Sequence, residues 1–303
     1  MSRQLIFLTI LYLILTVPVL SQLVRPNQLP TNSDLARTIQ WREIRRSLDD
    51  LDGLGKIKTS QPPDPRSDSI ILDTLYRRSK DSELALLAPE KDDRNKFSAI
   101  LSKPGTGMVK LIRDFGCDEY SSAAYDEKLC TKFSMPGGGS AFSFRQADYQ
   151  FWKLADILYD GRSFMAFGQM SLGLMVDLGN APFESVGLDS KGMAYLVSFV
   201  PKGEMSDAST QNTALADGIT DNGFTYKKFL PVVVGDTYVI RSVAFRGKVP
   251  RQHYEQRYNE LDFDRRKDII AAFQVVRQDF NGTVTIVWKV LQTKQSPELK
   301  INK

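Results

Sequence analysis

The segment from Ile269 to Leu291 limits what this chain can fold into more than any other stretch. It reads IIAAFQVVRQDF, then Asn281-Gly282, then TVTIVWKVL. Asn-Gly accepts the positive φ angles of a type I′ turn, whose twist matches two flanking antiparallel strands, and these flanks are rich in β-branched and aromatic residues. With Phe280 opposite Thr283, residues Phe273, Val275, Val284, Ile286, Trp288 and Val290 share one face. Gln274, Gln278, Thr283, Thr285 and Lys289 share the other. The pattern predicts a hairpin with a two-residue loop, one face in the core and one in water. A loop one residue longer would mix the two sets.

The same texture extends backwards. Short apolar segments at Met108–Ile112, Ala141–Phe144, Phe164–Phe167, Leu172–Leu178 and Met193–Val200 are separated by glycine and proline, which predicts strands. Phe229–Val234, Gly235-Asp236 and Thr237–Phe245 predict a second hairpin with a type II′ turn. Between the hairpins, Pro250 is placed to open a short helix carrying Tyr254, Tyr258 and Leu261 on one side. The polar run from Gly203 to Gly223 is expected to be a long surface loop. Before residue 103 the reading is helical, with an apolar stripe of Trp41, Ile44, Leu48 and Leu51 and later helices over Ile70–Leu87 and Arg94–Ser102. The expected fold class is α+β: a helical N-terminal region, 22–102, with a Pro-rich linker near 59–69, then an antiparallel β-sandwich or partly open barrel over 103–293. Residues 294–303 are expected to be a frayed polar tail.

Arg3 precedes an apolar stretch from Leu5 to Leu20 whose only polar groups are hydroxyls, and Val19-Leu20-Ser21 offers small side chains for cleavage. Residues 1–21 therefore read as a signal peptide. The competing reading is an uncleaved membrane anchor, for which the stretch is short against the roughly 20 residues of a spanning helix and interrupted by Pro18. Losing Arg3 lowers the formal charge from +4 to +3. Basic and acidic residues are interspersed, as in Arg265-Arg266-Lys267 beside carboxylates, so nucleic acid is not an expected partner. Cys117 and Cys130 are the only two cysteines. In an exported chain they are expected to form a disulfide, and their spacing is not that of a C-x-x-C redox motif.

Candidate chemistry is sparse. A single histidine, His253, lies in a charged stretch that reads as an exposed helical surface, and one His with two distant cysteines does not make a zinc site. Asp49-Asp50-Leu51-Asp52-Gly53 lacks the acidic ligands of a calcium loop, since Leu48 and Thr59 stand where ligands are needed. Pro136-Gly137-Gly138-Gly139-Ser140 has no Lys-Ser/Thr after it and reads as a β-turn, with Ser140 as a nucleophile only if a base is nearby. The carboxylates Asp118, Glu119, Asp160, Asp177, Asp262 and Asp264 suit acid–base chemistry in principle, and turns or arginine pairs equally well. The aromatic run Tyr149-Gln150-Phe151-Trp152, with Tyr159 and Phe164, reads as core before ligand site. No catalytic residue, cofactor or metal ligand is assigned.

The segments GDTYVIRSVAF, IIAAFQVVRQDFNGTVTIVWKVL and GGGSAFSFRQADYQF resemble those of exported bacterial proteins without an assigned activity. The resemblance implies a compartment, periplasmic or extracellular, and no reaction. The expected function is an exported, non-catalytic binding or envelope-associated protein whose partner is a protein, a glycan or a small apolar ligand, with membrane association if the leader stays attached. The alternative is a carboxylate-dependent hydrolase of envelope or extracellular polymers, which needs neither His nor Cys.

Overall fold

The computed structural model describes residues 76–117, 125–166, 168–253 and 256–300. The expected leader, the helix from Ser33 or Asp34 to about Leu51, the acidic run before Gly53 and the linker near 59–69 lie outside the described residues, as do Asp118 and Glu119. Three short helices, α1 (Asp81–Leu86), α2 (Lys91–Lys96) and α3 (Ser98–Leu101), precede strand β1 (Thr106–Leu111). Local chemistry places them. Glu83 accepts from the Lys80 backbone N–H at 2.8 Å, and α2 carries Asp92 and Asp93 in its first turn and Arg94 and Lys96 in its last, as the helix dipole favours. Helix α4 (Glu127–Lys132) is capped by Asp126, which accepts from the Leu129 N–H. Strands β2 (Ala141–Ser143), β3 (Asp148–Tyr149), β4 (Ile157–Tyr159), β5 (Ser163–Ala166) and β6 (Ser171–Asp177) follow, then helices α5 (Ala194–Ser198) and α6 (Met205–Asp217). The chain continues through β7 (Ile219–Asp221), β8 (Phe224–Lys227), β9 (Phe229–Pro231), β10 (Thr237–Ala244), β11 (Pro250–His253), β12 (Gln256–Asn259), β13 (Lys267–Gln278) and β14 (Val284–Gln295).

Two antiparallel sheets dominate. The larger has seven strands in the order β1-β14-β13-β10-β6-β8-β7, and the smaller has five in the order β3-β2-β4-β5-β9. Neither closes into a barrel. Their facing sides share one core, in which Phe142, Phe144, Tyr159 and Phe164 of the smaller sheet meet Tyr238, Phe273, Ile286 and Trp288 of the larger. The rings pack edge-on or offset, with Phe164 5.0 Å from Phe273 and Phe144 5.7 Å from Trp288. Gly107 lies opposite Trp288, and a Cβ there would sit 2.5 Å from the indole, so only glycine leaves room for the ring. The other face of the larger sheet is buried too. Leu174, Val176, Val239, Val243, Ile270, Ala272 and Val287 pack there against Phe97 and Ile100 of the early helices and Leu196, Phe199, Ala208 and Leu215 around α5 and α6.

The organising hairpin forms, with a different loop. Gly282 N–H reaches Asp279 O and Asp279 N–H reaches Thr283 O, which makes a three-residue loop of Phe280, Asn281 and Gly282 with Gly282 at φ +79°. The expected mixing of faces does not occur because Val276 is an extra residue on β13, where the register shifts between Val275 and Arg277. The bulge restores parity. Phe273 therefore pairs with Trp288, two positions from the expected Val290, while the predicted apolar face stays together. Most of the face expected to be wet is covered: Thr283 and Thr285 are buried, Gln274 donates to Gly235 O, and Lys289 donates to Glu184 O, whereas Gln278 stays exposed and is moved by the bulge opposite Val284.

Other expectations are corrected. Phe229–Pro231 and Thr237–Ala244 do not form a hairpin, because β9 pairs with β5 in the smaller sheet and β10 with β13 and β6 in the larger. The Tyr238 hydroxyl pins that crossing by donating to Pro231 O and accepting from Val233 N–H. The Gly203–Gly223 loop is largely helix α6, and the Met193–Val200 strand is helix α5, whose Leu196 is buried against the larger sheet. The helix expected from Pro250 is the β11–β12 hairpin, with Leu261 in a following 3-10 turn. The tail is tied down as far as Lys300: Arg246 bridges to Glu298, Glu204 bridges to Lys300, and Leu299 is buried.

Candidate functional site

Cys117 and Cys130 are joined in a disulfide, with Cα atoms 5.2 Å apart. The expected pairing is present. It closes against the triple-glycine turn, where Gly137, Gly138 and Gly139 all have positive φ and are buried. A Cβ on Gly138 would meet Cys117 Sγ at 2.7 Å, and one on Gly139 would meet Leu87 at 2.6 Å. Glycine is required here for backbone conformation and close packing. The Ser140 hydroxyl is buried and donates to Gly137 O at 2.8 Å, so it is committed to its own turn.

Of the buried carboxylates, Glu260 accepts from the Tyr76 hydroxyl at 2.7 Å, and the others are held by arginines. Asp156, Arg145, Asp264 and Arg266 form a chain of alternating charge, with nitrogen–oxygen distances of 2.9, 3.0 and 2.8 Å. Arg145 also donates to Leu154 O, and Arg266 to the carbonyls of Phe245, Gln169 and Met170. Burial disfavours the cation at both arginines. Asp156 and Asp264 outweigh it at Arg145, whose pKa is raised, whereas Arg266, also beside the Arg145 charge, is lowered to about 10. Asp268 is held by Arg241, Asp148 by Arg78, and Asp93 by Arg277. Glu83 is held by Arg77, Ser134 and the Lys80 N–H. Burial alone would raise its pKa, and these partners instead bring it from 4.5 to about 2.

The remaining acidic candidates serve turns. Asp160 accepts from the N–H groups of Arg162 and Ser163, Asp262 accepts from Asn259, and Asp177 accepts from the Gly179 N–H. Asp177 differs in one respect: partial burial, and then the Asp236 charge, raise its pKa. Of the aromatic run, Tyr149 and Phe151 are buried, as are Tyr159 and Phe164, and the Tyr149 hydroxyl donates to Lys110 O at 2.5 Å. They are core. His253 lies on strand β11, not on a helix. Among the described residues no group of three or more His, Cys, Asp or Glu is placed to hold a metal ion.

What sequence reasoning missed is a cleft of about 370 Å³ bounded by the turn after β2 and by the β13–β14 hairpin. Its floor is apolar, made by Phe144, Ile269, Trp288 and Val290, and Arg265 and Lys267 stand at its lip. Both lip residues are exposed, and neither is ion-paired with a described residue. No carboxylate is among its lining residues. Of the three cations that line the cleft, Arg145 is paired with Asp156 and Asp264, which leaves Arg265 and Lys267 to give its mouth a positive charge. These residues come from distant segments and form no motif. The one available signal is Arg265 and Lys267 just ahead of the apolar run of β13.

Comparison with known proteins finds no family model, curated protein or solved structure that matches this chain. Among the described residues no helix is long and apolar enough to cross a membrane.

Proposed function

We propose that this protein is an exported binding protein, a two-sheet sandwich that offers the cleft beside Trp288 to a ligand and performs no covalent chemistry. The observation that carries this reading is the fate of the acids. Asp93, Asp148, Asp156, Asp264 and Asp268 are each beside an arginine, and Glu83 beside Arg77, while the cleft itself has none. A glycoside hydrolase needs two carboxyl groups about 5–9 Å apart across an open groove, and arginine-bound acids away from the cleft do not supply them. The closed disulfide supports an oxidising compartment, as do the apolar N-terminal residues. Native mass spectrometry of the protein taken from its exported fraction tests this reading. A mature chain cut near Ser21, with a co-purifying small molecule or protein, supports it; an intact leader on a soluble intracellular form overturns it.

A second reading rests on Asp177, a half-buried carboxyl whose pKa burial, and then the Asp236 charge, raise, which is the direction acid catalysis requires. It predicts release of reducing ends from envelope polysaccharide, abolished by Asp177→Asn. Equal, background release by parent and variant would remove it.

A further inference from the structure

We infer that the cleft takes a small amphipathic anion, its apolar chain on Phe144, Trp288 and Val290 and its acid group between Arg265 and Lys267. This rests on the binding-protein reading and names the ligand class for the same site. The size is suitable for a short chain, since about 370 Å³ is at the lower end of the roughly 300–1,000 Å³ of small-molecule sites. The floor is built of rings and branched chains already fixed by packing. Phe144 lies 5.7 Å from both Phe273 and Trp288, and Ile269 is buried in the β10–β13 pairing, so the floor is held in place before any ligand arrives.

The lip selects sign. The Arg145 guanidinium also borders the cleft, but Asp156 and Asp264 already neutralise it. Arg265 and Lys267 have no such partners among the described residues, and they stand on either side of Arg266, which Asp264 anchors at 2.8 Å. Arg265 and Lys267 line the cleft, whereas the Arg266 guanidinium turns away to the Phe245, Gln169 and Met170 carbonyls. A carboxylate, sulfate or phosphate monoester there would gain charge-assisted hydrogen bonds from both, whereas a cationic amphiphile meets like charge and a neutral one gains only the floor.

The test uses octanoate and octanol as probes of equal chain length, titrated into the disulfide-bonded protein while the Trp288 indole N–H resonance is followed by NMR. Octanoate is expected to shift that resonance and to bind more tightly than octanol, with affinity falling as salt is added. Arg265→Ala/Lys267→Ala removes two exposed side chains, so it keeps the parent unfolding midpoint, and it should weaken octanoate by about tenfold while leaving octanol unchanged, as two partly exposed charge contacts imply. Trp288→Phe serves to assign the resonance. The inference is overturned if octanol binds as tightly as octanoate, if the double variant keeps octanoate within about twofold, or if the Trp288 resonance does not move. A co-purified ligand together with any of these results would leave the binding-protein reading standing and this ligand class refuted.

Discussion

Arg241 provides the sharpest test of how the larger sheet and the helical layer are joined. It lies on β10 between Val239 and Val243, pointing into the apolar side that α5 covers. Its Nε and Nη2 reach the two Asp268 oxygens at 2.9 and 2.7 Å, and Nη1 donates to Leu196 O at 2.7 Å and Phe199 O at 2.6 Å. One buried cation thus satisfies a carboxylate and the C-terminal carbonyls of a helix. Removing it in Arg241→Ala strands the Asp268 charge, which costs about 3–5 kcal/mol. Arg241→Lys keeps the charge and loses the fork, costing about 1–3 kcal/mol because one ammonium cannot serve both sets of acceptors. The double variant Arg241→Met/Asp268→Leu removes both charges beside the apolar neighbours Leu174 and Ile270, and leaves only the helix carbonyls unpaired, about 1–2 kcal/mol. The assay is urea unfolding with the disulfide intact, comparing midpoints at constant slope. A loss below about 1 kcal/mol for Arg241→Ala, or a double-variant loss equal to the sum of the two singles, would refute the reasoning.

Replacing Cys117 and Cys130 together by serine should cost about 3 kcal/mol for so short a loop, measured as a lower unfolding midpoint without added reductant. Gly107→Ala is expected to cost about 1–3 kcal/mol by driving a methyl into the Trp288 ring, with Trp288→Phe partly relieving it in the double variant. Glu83 has a folded pKa depressed to about 2, so its stabilisation is present above its ordinary 4.5 and is lost as pH falls through 2. The parent should therefore lose at most about 3 kcal/mol across that window in an acid titration of stability, and Glu83→Gln should flatten the loss.

The hairpin shows what the sequence carries and what it does not. Which residues face the shared core was legible at Phe273, Val275, Ile286 and Trp288, because alternation survives any register shift of even length. Which residue faces which was not, because a longer loop and the Val276 bulge each move the pairing by one. Met205–Asp217 hid its helix for a related reason: only Ala208 and Leu215 are buried, so a long exposed face made it read as loop. Ala194–Ser198 carries Tyr195 and Val197, which favour strands, and becomes helical as Leu196 packs in the core. Gly235-Asp236 has hairpin chemistry, but its flanking strands find partners in different sheets, a long-range choice that local residues do not encode. The cleft was least legible, since Phe144, Arg265 and Trp288 meet only after both sheets are assembled.

The strand order carries a consequence for how the molecule is made. Within the larger sheet β1 is bonded only to β14, so its hydrogen-bonding edge waits through synthesis of the 172 residues between Leu111 and Val284. A polypeptide threaded outward from its amino end would present that bare ribbon, with Leu111 and Val109 uncovered, until the final strand arrives. Truncation after residue 283 would therefore leave β1 without a neighbour and β13 open along one side, and such a product is a substrate for holding chaperones and for edge-to-edge aggregation.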